Sequence, residues 1–279
     1  MVMEEKDMSI KYLSAMVFVF AIFTACNKYD RVGNIEKTFY AVNEPHSRTV
    51  LNNKSILWES EDEIKVFWGN DKSSLSAAKV YKSGQNATFT ATVGKASAYY
   101  GVYPSSAVSS MENDILKVAI PEDQTGIFAD VNFAVSKADD QDNMFFKHVV
   151  SWLEFTIDKT GILTFTSAKG TPLTGIVSIK EFDKDGMPVY DVTGGSSVVR
   201  LNIKCSGTYY IALLPDVKID GLSFTLVEDI RPEYIFSSNA VLMSPGKLVA
   251  LGNITGRFGY KGDFGAANEV LVDDSTIVW

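Results

Sequence analysis

From Asn27 onward the sequence alternates apolar and polar residues with a period of two nearly everywhere, and no stretch carries a convincing i, i+3, i+4 stripe of an amphipathic helix. Phe89, Ala91 and Val93 alternate with Thr90 and Thr92, and Leu153, Phe155 and Ile157 alternate with Trp152, Glu154 and Thr156. Val199, Leu201 and Ile203 alternate with Arg200, Asn202 and Lys204, and Leu222, Phe224 and Leu226 with Ser223 and Thr225. Successive side chains of a strand point to opposite faces, so each run is expected to be a strand with one face buried. Turn signals separate the runs: Gly69-Asn70-Asp71, Ser83-Gly84-Gln85-Asn86, Lys184-Asp185-Gly186, Gly194-Gly195 and Pro245-Gly246. Short strands at this spacing predict an all-β chain built of β-sandwiches.

An internal echo predicts two of them. Ala98-Tyr99-Tyr100-Gly101-Val102-Tyr103-Pro104 and Thr208-Tyr209-Tyr210-Ile211-Ala212-Leu213-Leu214-Pro215 share a Tyr-Tyr pair, an apolar strand and a proline. Their spacing is about one sandwich of sequence. A chain that is 46% hydrophobic has enough apolar residues for two cores. The polar cluster Asp139 to Asn143 is the expected boundary, giving domains at 49–142 and 143–255, preceded by segments 1–25 and 26–48 and followed by 256–279.

The first 25 residues have the anatomy of a bacterial signal peptide. Lys11 precedes an apolar run from Tyr12 to Phe23, then Thr24, Ala25 and Cys26. The run is shorter than the ~20 residues a membrane-spanning helix needs. Met8 is an alternative start, because Met1 to Asp7 is acidic. Phe23-Thr24-Ala25-Cys26 resembles the lipobox of bacterial lipoproteins, which implies cleavage before Cys26 and acylation of its thiol. Several acyl chains on one cysteine hold a protein durably on a membrane without spanning it. Removing residues 1–25 takes away two lysines and three acids, leaving 24 basic and 31 acidic side chains, which argues against nucleic acid as a partner. Cys205 is then the only free thiol, so no intramolecular disulfide is expected, and Cys205 itself reads as a small core or strand residue.

A series of short motifs carries a more specific likeness. Arg48-Thr49 is followed by Trp58 and the acidic stretch Glu59 to Glu63, leading into Ile64-Lys65-Val66-Phe67. Then come Tyr99 to Pro104, Ile120-Pro121 with Gln124, Phe146-Lys147-His148, Tyr209 to Pro215, and Pro245-Gly246-Lys247 with Leu251-Gly252. In this order and spacing the chain, over roughly residues 38 to 255, resembles the fimbrillin family of Bacteroidales type V pili. The resemblance implies two transthyretin-like β-sandwich domains in tandem and export as a lipoprotein to the outer membrane and cell surface. It also implies polymerisation with other pilus subunits by strand exchange, after a trypsin-like protease cuts behind an arginine in the N-terminal segment.

On that footing, Ile35 to Val42 is the strand expected to occupy a subunit's groove first, with cleavage after Arg48 releasing it together with the lipid. Arg31 is the other candidate, and a solvated loop arginine is the plain alternative for Arg48. Beyond Gly252 a glycine-rich stretch leads into Glu269 to Val272 and Ser275 to Trp279. This tail reads either as a mobile strand donor or as a last strand folded back on its own domain.

Signals for chemistry are sparse, and the chain is expected to be no enzyme, with no catalytic residue, cofactor or metal. The two histidines, His46 and His148, have no His or Cys neighbour at ligand spacing. No nucleophile elbow, Walker loop or His-Glu-x-x-His segment occurs. Asp183 to Gly186 reads as a hairpin turn, because position twelve of a calcium loop would fall on Gly194. The acidic runs Glu59 to Glu63 and Asp139 to Asp142 read as solvated carboxylates. Three Asn-x-Ser/Thr sequons and Asp274-Ser275-Thr276, which resembles a short Bacteroidetes O-glycosylation motif, carry no expectation. The 33 aromatic residues, Trp58, Trp68 and Trp152 among them, support an alternative of another class: a monomeric surface lipoprotein that stacks glycans, from host or bacterial surfaces, on exposed rings.

Overall fold

A computed structural model describes residues 34–42, 58–70, 72–81, 86–228 and 232–259. The chain divides into two units, residues 1–34 and 35–279, and the fold belongs to the second. The described residues form an all-β fold of twenty strands in four sheets, with one α-helical turn, α1 (Phe128–Val131), and one 3-10 turn near the end. Strands are numbered along the chain.

The largest sheet has the spatial order β10 (Asn143–Met144), β1 (Ile35–Val42), β4 (Asn86–Val93), β3 (Ser73–Tyr81), β2 (Glu63–Phe67), β5 (Tyr100–Tyr103), β9 (Ala134–Lys137), β11 (Lys147–His148). It rolls up on itself: Ala138, next after β9, bridges Met144 of β10, and Met144 pairs with Ala41 of β1. Inside lies a core of Phe39, Ala41, Ile64, Val66, Phe89, Ala91, Val93, Tyr99, Tyr103 and Met144. These are the apolar positions of alternating strands, and the period of two turns them all inward.

A second sheet joins β6 (Ser109–Glu112), β7 (Ile115–Ile120), β14 (Gly175–Phe182) and β15 (Pro188–Thr193). A third has the order β19 (Glu233–Met243), β18 (Val217–Val227), β13 (Gly161–Ser167), β16 (Val198–Ile203), β8 (Asp123–Gln124). The fourth, β17 (Gly207–Leu213), β12 (Ser151–Ile157), β20 (Leu248–Asn253), lies between two cores. Leu153, Phe155 and Ile157 of β12 pack with Leu163, Phe165, Leu201 and Phe224 of the third sheet. Trp152 of the same strand packs the other way, with Val118, Val177 and Ile179 of the second sheet and Val102 and Val135 of the first.

The sequence expectation for β12 is therefore corrected. Alternation alone puts Trp152 on the solvent side, yet it is 0% exposed, because a second core covers that face. Its indole Nε1 donates to Val131 O at 2.9 Å, which satisfies the polar end of a buried ring. The four alternating runs appear as β4, β12, β16 and β18. The two Tyr-Tyr pairs obey one rule: Tyr99 packs in the first-sheet core and Tyr209 against the third-sheet core, while Tyr100 and Tyr210 both pack on the middle core.

The Asp183 to Gly186 segment is the β14–β15 turn. Asp183 Oδ1 accepts from Asp185 N and Met187 N, both at 2.8 Å, and Gly186 supplies the required positive φ of 71°.

Candidate functional site

The sequence IEKTFYAV becomes β1, and its alternation decides what it does. Phe39 and Ala41 point into the first-sheet core, where Phe39 is 0% exposed and its ring lies 5.4 Å from that of Tyr99. Tyr40, on the opposite face, is 47% exposed. Along one side β1 pairs antiparallel with β4 over all eight residues, from Ile35 opposite Val93 to Val42 opposite Asn86. The hydroxyls of Thr38 and Thr90 meet across this pair at 3.1 Å.

The other side of β1 is held more sparsely. Only Tyr40 and Ala41 pair with β10, in parallel, and among the described residues no strand flanks Ile35 to Phe39 on this side. A single turn supplies the rest of the attachment. Tyr40 N donates to Asp142 O at 3.0 Å, and Lys37 Nζ reaches the Asp142 carboxylate at 2.6 Å. Lys37 Nζ also lies 5.1 Å from the centre of the Tyr99 ring and 5.8 Å from that of Phe39, within cation–π range. Asp142 takes a φ of 65°, a conformation that Asp tolerates better than most residues. Asp139 shapes the turn, accepting from Gln141 N and Asn143 N at 2.8 Å and from Asn143 Nδ2 at 2.9 Å. Partial desolvation pushes the Asp139 carboxyl up, but these hydrogen bonds outweigh it and leave the pKa below its ordinary value.

The far wall of this core is aromatic. Trp58 meets Phe89, Tyr103 and Phe146 edge-on, at centroid distances of 5.2, 5.3 and 5.3 Å. Tyr103 Oη donates to Asp62 Oδ1 at 2.7 Å, and burial together with that carboxylate holds the phenol far above its usual range. Asp62 Oδ2 also accepts from Glu59 N, and Glu63 accepts from Ser105 Oγ at 2.6 Å. Parts of both acidic runs thus work as turn and strand anchors within the protein, where the sequence reads them as solvated. Among the described residues no group of three or more His, Cys, Asp or Glu side chains gathers in metal-binding reach.

The sequence-selected positions fall into two groups. Cys26, Arg31, His46 and Arg48 lie outside the described residues, as do Glu269 to Val272 and Ser275 to Trp279. Of the tail, the described part makes a 3-10 turn at Thr255–Arg257 and then a two-way bridge between Gly259 and Tyr234. His148, in β11, sits edge-on to Trp152 with ring centroids 5.0 Å apart. Its Nδ1 is buried with no hydrogen-bond partner, and burial lowers its pKa to about 4.

Cys205 corrects another expectation: it is exposed, in the turn between β16 and β17, with Sγ 3.7 Å from Tyr209 Oη. The strand alternation ends at Ile203, so nothing directs Cys205 inward. Among the described aromatic residues with an assigned burial, only Tyr40 is classed as exposed, and Trp58 and Trp152 pack in cores. Sequence reasoning missed Lys37 and its pairing with Asp142. The available signal was a lysine in register with the inward positions Phe39 and Ala41.

No family model matches the sequence, and no curated protein matches it. Solved structures similar to this chain include a candidate cell adhesion protein from Bacteroides ovatus, at 12% identity over 81% of this chain and 95% of that one, with a TM-score of 0.48. A candidate cell adhesion protein from Bacteroides eggerthii is 12% identical over 90% of this chain and 94% of its own, with a TM-score of 0.34. A fimbrial assembly protein from Parabacteroides distasonis is 7% identical over 78% and 91%, with a TM-score of 0.29.

Proposed function

We propose that this chain is a structural or adhesive subunit of a type V pilus, exported as a lipoprotein acylated at Cys26 and assembled with other pilus subunits by exchange of β1. In this reading, the lipid anchors the newly exported subunit at the outer membrane.

The observation that carries the reading is the position of β1. It is one strand inserted into a rolled sheet, held by eight residues on one side and two on the other. The chain then passes through residues 43–57, which include Arg48, before returning at Trp58. Cleavage behind Arg48 would leave β1 attached by non-covalent contacts alone. Its departure would uncover Phe89, Tyr99 and Met144 and the backbone edge of β4. An apolar floor flanked by an unpaired strand is a template for another strand, and exposing the apolar floor to water is unfavourable. The sequence resemblance supplies the assembly class.

Treating the chain that lacks residues 1–26 with a low dose of a trypsin-like protease tests the reading. A new N-terminus at Thr49, with ladders or fibres in electron micrographs, is expected. A chain that stays monomeric after cleavage at Arg48, with β1 still bound, would overturn it.

A further inference from the structure

The side of β1 that faces β10 is acidic. The turn from Asp139 to Asp142 carries three carboxylates, and Lys37 Nζ meets that of Asp142 at 2.6 Å. Lys37 is inward by register, two residues before Phe39, and its ammonium also faces the rings of Tyr99 and Phe39. Its side chain is 22% exposed and that of Asp142 30%, so this pair is better shielded than a surface salt bridge. Any strand that takes the place of β1 meets the same demands: a small residue where Ala41 stands, a large apolar residue where Phe39 stands, and a charge choice where Lys37 stands.

Residues 268–279 carry two β-branched-rich apolar runs, Val270 to Val272 and Ile277 to Trp279, suited to strand formation, but their charge is wrong for this position. They carry Glu269, Asp273 and Asp274 and no lysine or arginine. Seated in the groove of a second copy, they would leave Asp142 without its cation and bring in a strand whose only charged side chains are carboxylates. Like charges brought together in a partly desolvated site discriminate strongly between partners.

Resting on the strand-exchange reading, we infer that the groove filled by β1 selects an incoming strand with a lysine or arginine two residues from its large apolar anchor. Its natural occupant is then a strand of a different subunit, and not residues 268–279 of another copy of this chain. Asp142 is the residue that sets this choice, and the polymer is mixed at this joint.

The test uses the chain lacking residues 1–25, with a specific protease site inserted within residues 43–57 and cut after folding. Three labelled peptides compete for the nicked protein in dilute urea: residues 34–42, the same peptide with Lys37→Glu, and residues 268–279. Native mass spectrometry and fluorescence anisotropy read occupancy. The parent peptide is expected to enter, the Lys37→Glu peptide to bind about tenfold more weakly or worse, and the 268–279 peptide to fail to compete. In the Asp142→Asn protein, which keeps a residue suited to positive φ, the parent and Lys37→Glu peptides should bind within about twofold of one another. Competition by 268–279 equal to that of the parent peptide, or indifference to Lys37→Glu, would overturn the charge selection while leaving strand exchange standing. Failure of even the parent peptide to enter the nicked chain would overturn strand exchange, and the selection with it.

Discussion

Gln124 lends its side-chain amide to Ala212 as though it were a neighbouring strand. Ala212 N donates to Gln124 Oε1 at 2.8 Å, and Gln124 Nε2 donates to Ala212 O at 2.9 Å and to Pro121 O at 2.9 Å. This closes part of the free edge of β17, at a residue that is fully buried. The side chain thereby satisfies backbone groups that water cannot reach.

Replacing Gln124 by Leu keeps the volume and removes both partners of Ala212. Each buried backbone group left unpaired costs about 1–3 kcal/mol, so the variant is expected to lose about 2–6 kcal/mol of stability. Urea unfolding followed by tryptophan fluorescence would show it as a lower midpoint at unchanged slope. A midpoint equal to wild type would mean that Ala212 finds another partner.

His148 gives the fold an acid-labile element. Its ordinary pKa of 6.5 is lowered to about 4 by burial, so the unfolded chain binds the extra proton more readily. The stability of the neutral ring is therefore present above pH 6.5 and lost as the pH falls toward 4, by on the order of 3 kcal/mol at most. Subtracting the pH profile of a His148→Gln variant from that of the wild type isolates this contribution from the carboxylates. Parallel profiles between pH 7 and 4 would refute it.

Phe39→Ala removes the ring that β1 contributes to its core and is expected to cost about 3–5 kcal/mol. Tyr40→Ala, one residue on but facing outward, should stay within about 0.5 kcal/mol. Hydrogen exchange adds a local readout: the amides of β4 that face β1 should lose protection in Phe39→Ala and keep it in Tyr40→Ala. Equal effects of the two substitutions would mean that the inward and outward faces of β1 are assigned wrongly.

Gly101 lies under an aromatic ring. A Cβ at this position would stand 2.8 Å from Phe146 Cζ and 3.1 Å from Met144 Sδ. Gly101→Ala is expected to destabilise by about 1–3 kcal/mol through overpacking, and Phe146→Leu in the same chain should recover part of the loss. Additive losses in the double variant would show that Phe146 is not the obstacle.

The strands are legible in the sequence because period two is a local property, carried by residues such as Phe89, Ala91 and Val93 within a few positions of one another. The Asp183 to Gly186 turn is legible for the same reason. What lies beyond the sequence is what covers each face. Alternation tells that Trp152 opposes Leu153, not that a second core waits on its side. Lys37 and Asp142 are 105 residues apart, and Gln124 and Ala212 are 88 apart, so no local pattern announces either pair. Gln124 stands out in the motif order, yet its work as a surrogate strand becomes visible only once β17 is placed. Cys205 defeats a reading from its neighbours because a residue just past the end of an alternating run inherits no direction from it.

The sheet of β17, β12 and β20 feeds alternate residues of one strand to different cores. An ordinary half-exposed strand that slips by one position trades core side chains for solvent on a single face. In β12 the same slip would drive the indole of Trp152 into the space shaped for Leu153 and leave a hole where the indole had been. Single-residue insertions in this strand should therefore be among the least tolerated changes in the chain, because both neighbouring cores proofread its alignment at once.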